Sequence, residues 1–294
     1  MKIVNVIGGL GNQMFQGALA LALSKKGEEV KLDTSHFLGY GLHNGFELTN
    51  VFQDYPICLA DKAELKRVTR FIPNYRWSRI IRKVLRKRKT EFIQPYQRSY
   101  IFEPEVFEIK GDCYLEGYWM SPCYFDECRD AVLRAYSFRP FDTSDNKEYE
   151  KMLSDYNSVT IHIRRGDYVG AESFKNICTL TYYRNAIEEV KRVIANPVFF
   201  IFSNDQQWCK ENLKQEFDGS EVHFVTNNRG PESYRDMQLM TLARCNILAN
   251  SSFSWWGAYL NQREDHIVFC PNKWVNNLEH KDHYVDDWIK IPIK

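Results

Sequence analysis

Apolar runs and amphipathic stretches alternate along most of this chain, with glycines or polar clusters between them. Residues 2 to 8, "KIVNVIG", form a short β-branched run that reads as a buried strand. Residues 12 to 27 follow with helical spacing and stop at Gly27, and 29 to 33, "EVKLD", read as the next strand. A strand–helix–strand opening with glycines in its first turn begins a doubly wound sheet. Residues 126 to 136 read as a helix, and the polar stretch 138 to 150 is where a domain boundary falls. Beyond it the alternation is regular. Strands are predicted at 158–163, 198–203, 221–226, 246–250 and 266–270, with helices at 179–194, 205–217, 232–244 and 253–262 between them. The expectation is an α/β chain of two Rossmann-like domains, 1–140 and 141–294, each a parallel sheet with helices on both faces. No internal repeat or low-complexity segment is visible.

In such sheets ligands lie beyond the carboxyl ends of the strands, so those ends carry the chemistry. The first reads "HIRRGDYV" and brings His162, Arg164, Arg165 and Asp167 together. The second, "FSNDQQW", offers Ser203 and Asp205. Both are helix-capping types, and a carboxylate there also suits the N1–H and N2–H donors of guanine. The third, "ANSSFSWWGAYL", sets Ser251, Ser252, Phe253 and Ser254 at a helix start, where open amides favour an anion. Near the amino terminus "GGLGNQ" places Gly11, Asn12 and Gln13 at another strand-to-helix turn. That turn is no dinucleotide fingerprint, because Met14 stands where the last glycine belongs, and it lacks the lysine of a P-loop. A tight turn accounts for its glycines, while its amide side chains suit sugar hydroxyls or phosphate. The strand ends together describe a site for a diphosphate bearing a base. No Asp-x-Asp pair occurs, which leaves arginine to neutralise a departing phosphate without a metal ion.

Composition narrows the partners. A formal net charge of +1 gives no overall field for nucleic acid. The eight cysteines form no C-x-x-C pair, the opening residues lack the apolar run of a signal peptide, and "ALALAL" is too short to span a bilayer. A cytoplasmic protein with reduced thiols is expected. In that compartment Arg165-Gly166-Asp167 is no adhesion signal and Asn250-Ser251-Ser252 no glycosylation acceptor. One segment departs from the balance. Residues 66 to 89 hold eleven Lys or Arg and no acid. There Trp77, Ile80, Ile81, Val84 and Leu85 fall on one helical side, and Arg79, Arg82, Lys83, Arg86 and Lys87 around the other. Such a helix either packs on the core with a solvated basic face or lies peripherally on a membrane, at its inner face for a cytoplasmic protein.

The set resembles glycosyltransferase family 11, the α-1,2-fucosyltransferases that use GDP-L-fucose. "GGLGNQMFQ", "FELTNVF", "LEGYWMSPCYF", "HIRRGDYV", "FSNDQQW" and "ANSSFSWWGAYLN" occur in that family's order and span nearly the whole chain. The resemblance implies a GT-B-type fold with a cleft between its two domains. It implies inverting, metal-independent transfer of fucose to the 2-hydroxyl of a terminal β-galactoside in a glycan, one built on a lipid carrier being a candidate. It also implies no cofactor beyond the donor substrate. By the same resemblance Arg164 meets the β-phosphate, His162 and Asp205 lie near guanine, Ser251 and Ser252 hold phosphate, and Asn12 faces the phosphate and fucose. Arg165 then braces its loop, with Asp167 as its candidate partner. Asp167 and Glu172 are the candidate bases, and an ion pair with a neighbouring arginine is the plainer role for Asp167. A non-catalytic nucleotide or glycan binder, and a GDP-fucose enzyme of different linkage, are the alternatives.

Overall fold

The structure, a computed structural model, describes residues 1–294 apart from the side chains of Arg79, Arg82, Lys83 and Asp167. The chain divides into two units, Met1–Phe138 with Glu279–Tyr284, and Arg139–Leu278 with Val285–Lys294.

In the first unit β1 (Lys2–Asn5) is buried along its whole length. Gly8 then turns the chain at φ +96°, a conformation that L side chains resist. A Cβ there would also fall 2.7 Å from Asn12 Nδ2. Helix α1 (Leu10–Lys25) follows, apolar from Gly17 to Leu23 and buried on all sides from Gln13 to Leu23. Strand β2 (Val30–Asp33) pairs parallel with β1. Three helices come next: α2 (Leu48–Val51), α3 (Lys62–Val68) and α4 (Tyr75–Val84). Asp61 and Glu64 close a reciprocal capping box on α3, and Asn74 caps α4 by accepting from the Arg76 and Trp77 amides. Strands β3 (Glu91–Ile93) and β4 (Cys113–Glu116) and helix α5 (Arg129–Ala135) complete the unit. The sheet order is β2-β1-β4-β3, parallel throughout. The late return of Glu279–Tyr284, which a single boundary near 140 leaves out, is fixed by His283. Its ring is fully buried against Tyr100, and Nδ1–H donates to the Met120 carbonyl over 2.7 Å.

The first helix of the second unit is α6 (Ser144–Asp155), which begins inside the stretch read as a polar joint and runs past it; Asn146 and Leu153 are its buried residues. Strand β5 (Ser158–Ile163), helices α7 (Gly166–Val169) and α8 (Leu180–Val193), strand β6 (Val198–Ser203) and helix α9 (Gln206–Asn212) follow. Then come β7 (Glu221–Val225), α10 (Tyr234–Met240), β8 (Cys245–Ile247), α11 (Ser252–Tyr259), β9 (Ile267–Pro271) and β10 (Ile289–Ile291). The order is β10-β9-β8-β5-β6-β7, again all parallel. Along β6 the side chains alternate between two cores. Phe199 and Ile201 pack with Tyr182, Ala186 and Ile187, whereas Phe200 and Phe202 pack with Leu239 and Met240. With both faces covered, the strand reads as a continuous apolar run. The chain lays β6 and β7 on one side of β5, then crosses back to place β8 on the other. The crevice between the ends of β5 and β8 is therefore the switch point where open α/β sheets bind ligands.

Candidate active site

Two adjacent tyrosines of α8 fix this switch point. Tyr183 Oη–H donates to the His162 carbonyl over 3.1 Å, and Tyr182 Oη–H to the Leu248 carbonyl over 2.6 Å. Each pins one of the two strand ends. His162 itself is buried, with its ring 5.6 Å from that of Phe253. Among the described residues its Nδ1 has no hydrogen-bond partner. Burial, and secondarily the charge of Arg164, push its pKa down to about 3, so the ring is neutral near pH 7. A buried polar atom without a partner is costly in a folded protein and calls for an explanation, a ligand being one. Arg164, two residues on, lies with its guanidinium carbon 5.6 Å over the Tyr168 ring, which stacks on Phe174.

The neighbouring Arg165 faces a different way. Its Nε donates to Asp205 Oδ2 over 3.1 Å, its guanidinium lies 4.0 Å over the Trp208 ring, and its amide donates to Asn204 Oδ1 over 3.0 Å. Gly166 permits that last contact, since a Cβ there would sit 2.4 Å from Asn204 Nδ2. Asp205 Oδ1 meanwhile accepts from the Trp208 amide as the cap of α9, and Ser203 Oγ accepts from the Asp205 amide. Arg165, Ser203 and Asp205 thus lock the "RRG" loop onto the end of β6. Both carboxylate oxygens of Asp205 are engaged within the protein, each in one hydrogen bond, which leaves each a second lone pair. The brace on Arg165 is Asp205 together with Trp208. Asp167, the partner expected for it and a candidate base, lies outside the described side chains.

On the β8 side Ser251 caps α11 by accepting from the Phe253 amide over 3.3 Å, and Ser252 and Phe253 are half-buried at the helix start. Ser254 is buried and turns inward, its hydroxyl donating to the Ala249 carbonyl over 3.2 Å, so it builds the turn and offers no group to a ligand. Helix α10 carries a carboxyl of shifted acidity, Asp236. Burial raises its pKa to about 7, against the lowering effect of Asn228, whose Nδ2 donates to Oδ1 over 2.8 Å. Asp236 stands inside a helix, three residues into α10, where a scan of strand ends does not look.

In the first unit Gly11 is buried in α1, and Asn12 covers the Gly8 turn. Gln13 is fully buried and uses both ends of its amide. Nε2 donates to the Gly8 and Gly45 carbonyls over 2.9 and 2.8 Å, and Oε1 accepts from the Glu47 and Leu48 amides over 2.8 and 3.1 Å. It ties loop 38–47 to the glycine turn and keeps nothing for a donor, contrary to expectation. Gln16, which the sequence reading passed over, accepts from the Ile7 amide and donates to the Gly117 carbonyl, joining the ends of β1 and β4. Glu172, the other candidate base, lies in an exposed loop with Oε1 2.6 Å from Lys175 Nζ, its side chain 82% exposed.

The switch point thus gathers a neutral histidine whose Nδ1 has no partner among the described residues, an arginine two residues on and a serine-capped helix. Residues 95–292 match the model of Glycosyl transferase family 11, and the chain belongs to that family of glycosyltransferases. It is 33% identical to the alpha-1,2-colitosyltransferase of Escherichia coli, with 98% of each chain covered. It is 31% identical to the O-antigen biosynthesis glycosyltransferase WbnK of Escherichia coli, covering 97% of this chain and 98% of that one. The galactoside alpha-(1,2)-fucosyltransferase 2 of Mus musculus is 25% identical over 87% of this chain and 67% of its own. In fold the protein is similar to the NodZ alpha-1,6-fucosyltransferase crystallised with GDP-fucose, at a TM-score of 0.51 and 17% identity over 88% of this chain and 91% of that one. The expected GT-B-type class, two parallel α/β sheets with helices, stands.

Proposed function

We propose that the protein transfers L-fucose, with inversion, from GDP-β-L-fucose to the 2-hydroxyl of a terminal β-galactoside, and that it needs no metal ion. The observation that carries this reading is His162, a buried nitrogen without a partner among the described residues at the switch point, two residues before Arg164. Transfer breaks the bond between the anomeric carbon and the β-phosphate oxygen, and the electron pair leaves with GDP. The acceptor oxygen bonds the opposite face and releases its proton. Charge grows on the departing phosphate, where a fixed guanidinium stabilises the transition state most. Arg164 is assigned to the β-phosphate, Ser251, Ser252 and the first turn of α11 to the phosphates, and His162 to the nucleoside. Asp205, at the end of β6 beside Arg165, is assigned to the guanine donors, because each of its oxygens makes one hydrogen bond and keeps a second lone pair.

The likeness to a colitosyltransferase favours a second donor. Colitose is L-fucose without its 3-hydroxyl, so GDP-colitose would use the same nucleotide site. A site that bonds the 3-hydroxyl rejects the deoxy sugar because its own polar group is left unpaired. Parallel assays with the two donors, a β-galactoside acceptor and excess EDTA test the proposal, with product linkage read by NMR. The expected result is an α-1,2 product with kcat/KM at least about tenfold higher for GDP-fucose. Preference for GDP-colitose would reassign the donor, and another linkage the acceptor position. Rescue by Mn²⁺ would defeat metal independence, and no transfer from either donor would reduce the protein to a binder.

A further inference from the structure

We infer that α4 and the loop that touches it form a docking surface for an anionic lipid bilayer. The helix leaves its apolar side bare, with Trp77 61%, Ile80 54% and Val84 80% exposed, and Leu85 just beyond at 46%. Positions 77, 80 and 84 recur at spacings of three and four, so they share one side. The protein-facing side is carried by Ser78, which is buried, and by Tyr75, whose ring meets Tyr40 at 5.5 Å and His36 at 6.3 Å. The neighbouring loop extends the bare patch with Leu38 and Leu42, each 64% exposed. That loop is held to the cap of α4, for a Cβ on Gly39 would fall 2.4 Å from Asn74 Nδ2. Core packing, one of the two readings open for this segment, does not describe residues so exposed.

The charge identifies what covers the patch. Eleven Lys or Arg and no acid lie between residues 66 and 89, and Arg76, Arg86, Lys87 and Lys89 are exposed. Arg79, Arg82 and Lys83, outside the described side chains, enter only as charges in the sequence. An apolar strip set among cations fits an anionic leaflet, with the apolar groups at the acyl boundary and the cations among the headgroups. A second copy of the chain would bring like charge against like, and nucleic acid offers nothing to Ile80 or Val84. The surface also adjoins the carboxyl end of the first sheet. Tyr75 touches His36, whose Nδ1 lies 3.1 Å from Asn5 Nδ2 at the end of β1. If the proposed transfer is correct, a lipid-linked glycan would arrive on that side.

Flotation with vesicles of phosphatidylglycerol and phosphatidylethanolamine tests the surface without any sugar donor, so it stands or falls apart from the proposed activity. The parent protein is expected to co-float in low salt, to dissociate in high salt, and to ignore neutral phosphatidylcholine vesicles. Each cation near an anionic leaflet changes partitioning about fivefold, so Arg86→Gln/Lys87→Gln/Lys89→Gln should lower it tenfold or more. Trp77→Gln/Ile80→Gln/Val84→Gln should lower it as much while keeping the parent circular dichroism and activity on a soluble acceptor. Equal binding to neutral vesicles, or parent-like flotation of both variants, would overturn the inference. So would loss of fold in the apolar variant, which would mean that the face is packed. A concentration-dependent dimer abolished by the apolar variant would assign the patch to a second copy instead.

Discussion

Each of the two sheets begins with a strand that ends in a polar motif where the strand order reverses, β1 ahead of "GGLGNQMFQ" and β5 ahead of "RRGD". The two ends are finished in opposite ways. After β1, Gln13 and Gln16 bond the backbone of the glycine turn, of loop 38–47 and of Gly117. Their amides close the structure on itself. After β5, Arg165 and Asp205 close the loop in the same manner, yet His162 beside them keeps a buried nitrogen without a partner among the described residues. Polar residues thus complete a turn in one place and leave a buried nitrogen unsatisfied by the described residues in the other. The difference lies in which hydrogen bonds the protein completes for itself.

Substitutions can break this contrast, the largest effect being expected at Arg164. Arg164→Ala should lower kcat by about 10²–10³ with a melting temperature close to the parent's, because its charge is assigned to the transition state and not to the fold. A variant of parental kcat would remove it from the phosphate. Gln13→Ala should act the other way round. It strips partners from two carbonyls and two amides, and about 3 kcal/mol or more of stability should be lost in urea titration. Unchanged stability would mean that Gln13 is not the brace described.

Acid sharpens the same point at two of the buried histidines, His162 and His283. Burial holds His162 and His283 each at about 3 in the folded state, whereas an unfolded histidine titrates near 6.5. The unfolded chain therefore takes up protons that the folded chain refuses. Stability is fully present above pH ~6.5 and falls as the pH drops towards about 3, by about 2 kcal/mol per histidine at pH 5. Asp236, raised to about 7, works oppositely, its contribution shrinking as pH rises from ~3.8 to about 7. His283→Gln keeps the donor to Met120 and should flatten the acid slope between pH 7 and 5. An unchanged slope would show that His283 does not titrate there. The smallest effect is expected at Arg165→Ala. Its ion pair is about one-third exposed on each side, so with the Trp208 contact it should cost about 1 kcal/mol. A loss in kcat as large as that of Arg164→Ala would erase the distinction between the two arginines.

Much of this architecture was legible in the residues, for identifiable reasons. Strand β6 was read with its observed bounds because two cores impose an unbroken apolar run on "VFFIFS". Strands β3, β4 and β10 escaped because three or four residues hold no readable period. Helix α6 escaped because its exposed turns resemble a polar linker. Within the site, "RRG" announced two arginines but not which of them turns to Trp208. Gln13 resembled a ligand donor until carbonyls and amides more than thirty residues away claimed it. Side-chain type was visible in the chain, whereas the partner that satisfies it is set by tertiary contacts.

The most direct test of the central claim is a calorimetric titration of GDP into the parent protein and into His162→Phe, which keeps a ring against Phe253 but removes the nitrogen. If the unpartnered nitrogen marks the nucleotide site, the parent binds GDP, and the folded variant binds it at least about fivefold more weakly, the cost of one lost buried hydrogen bond. Equal affinity in the two folded proteins, or no GDP binding by the parent, would contradict the account.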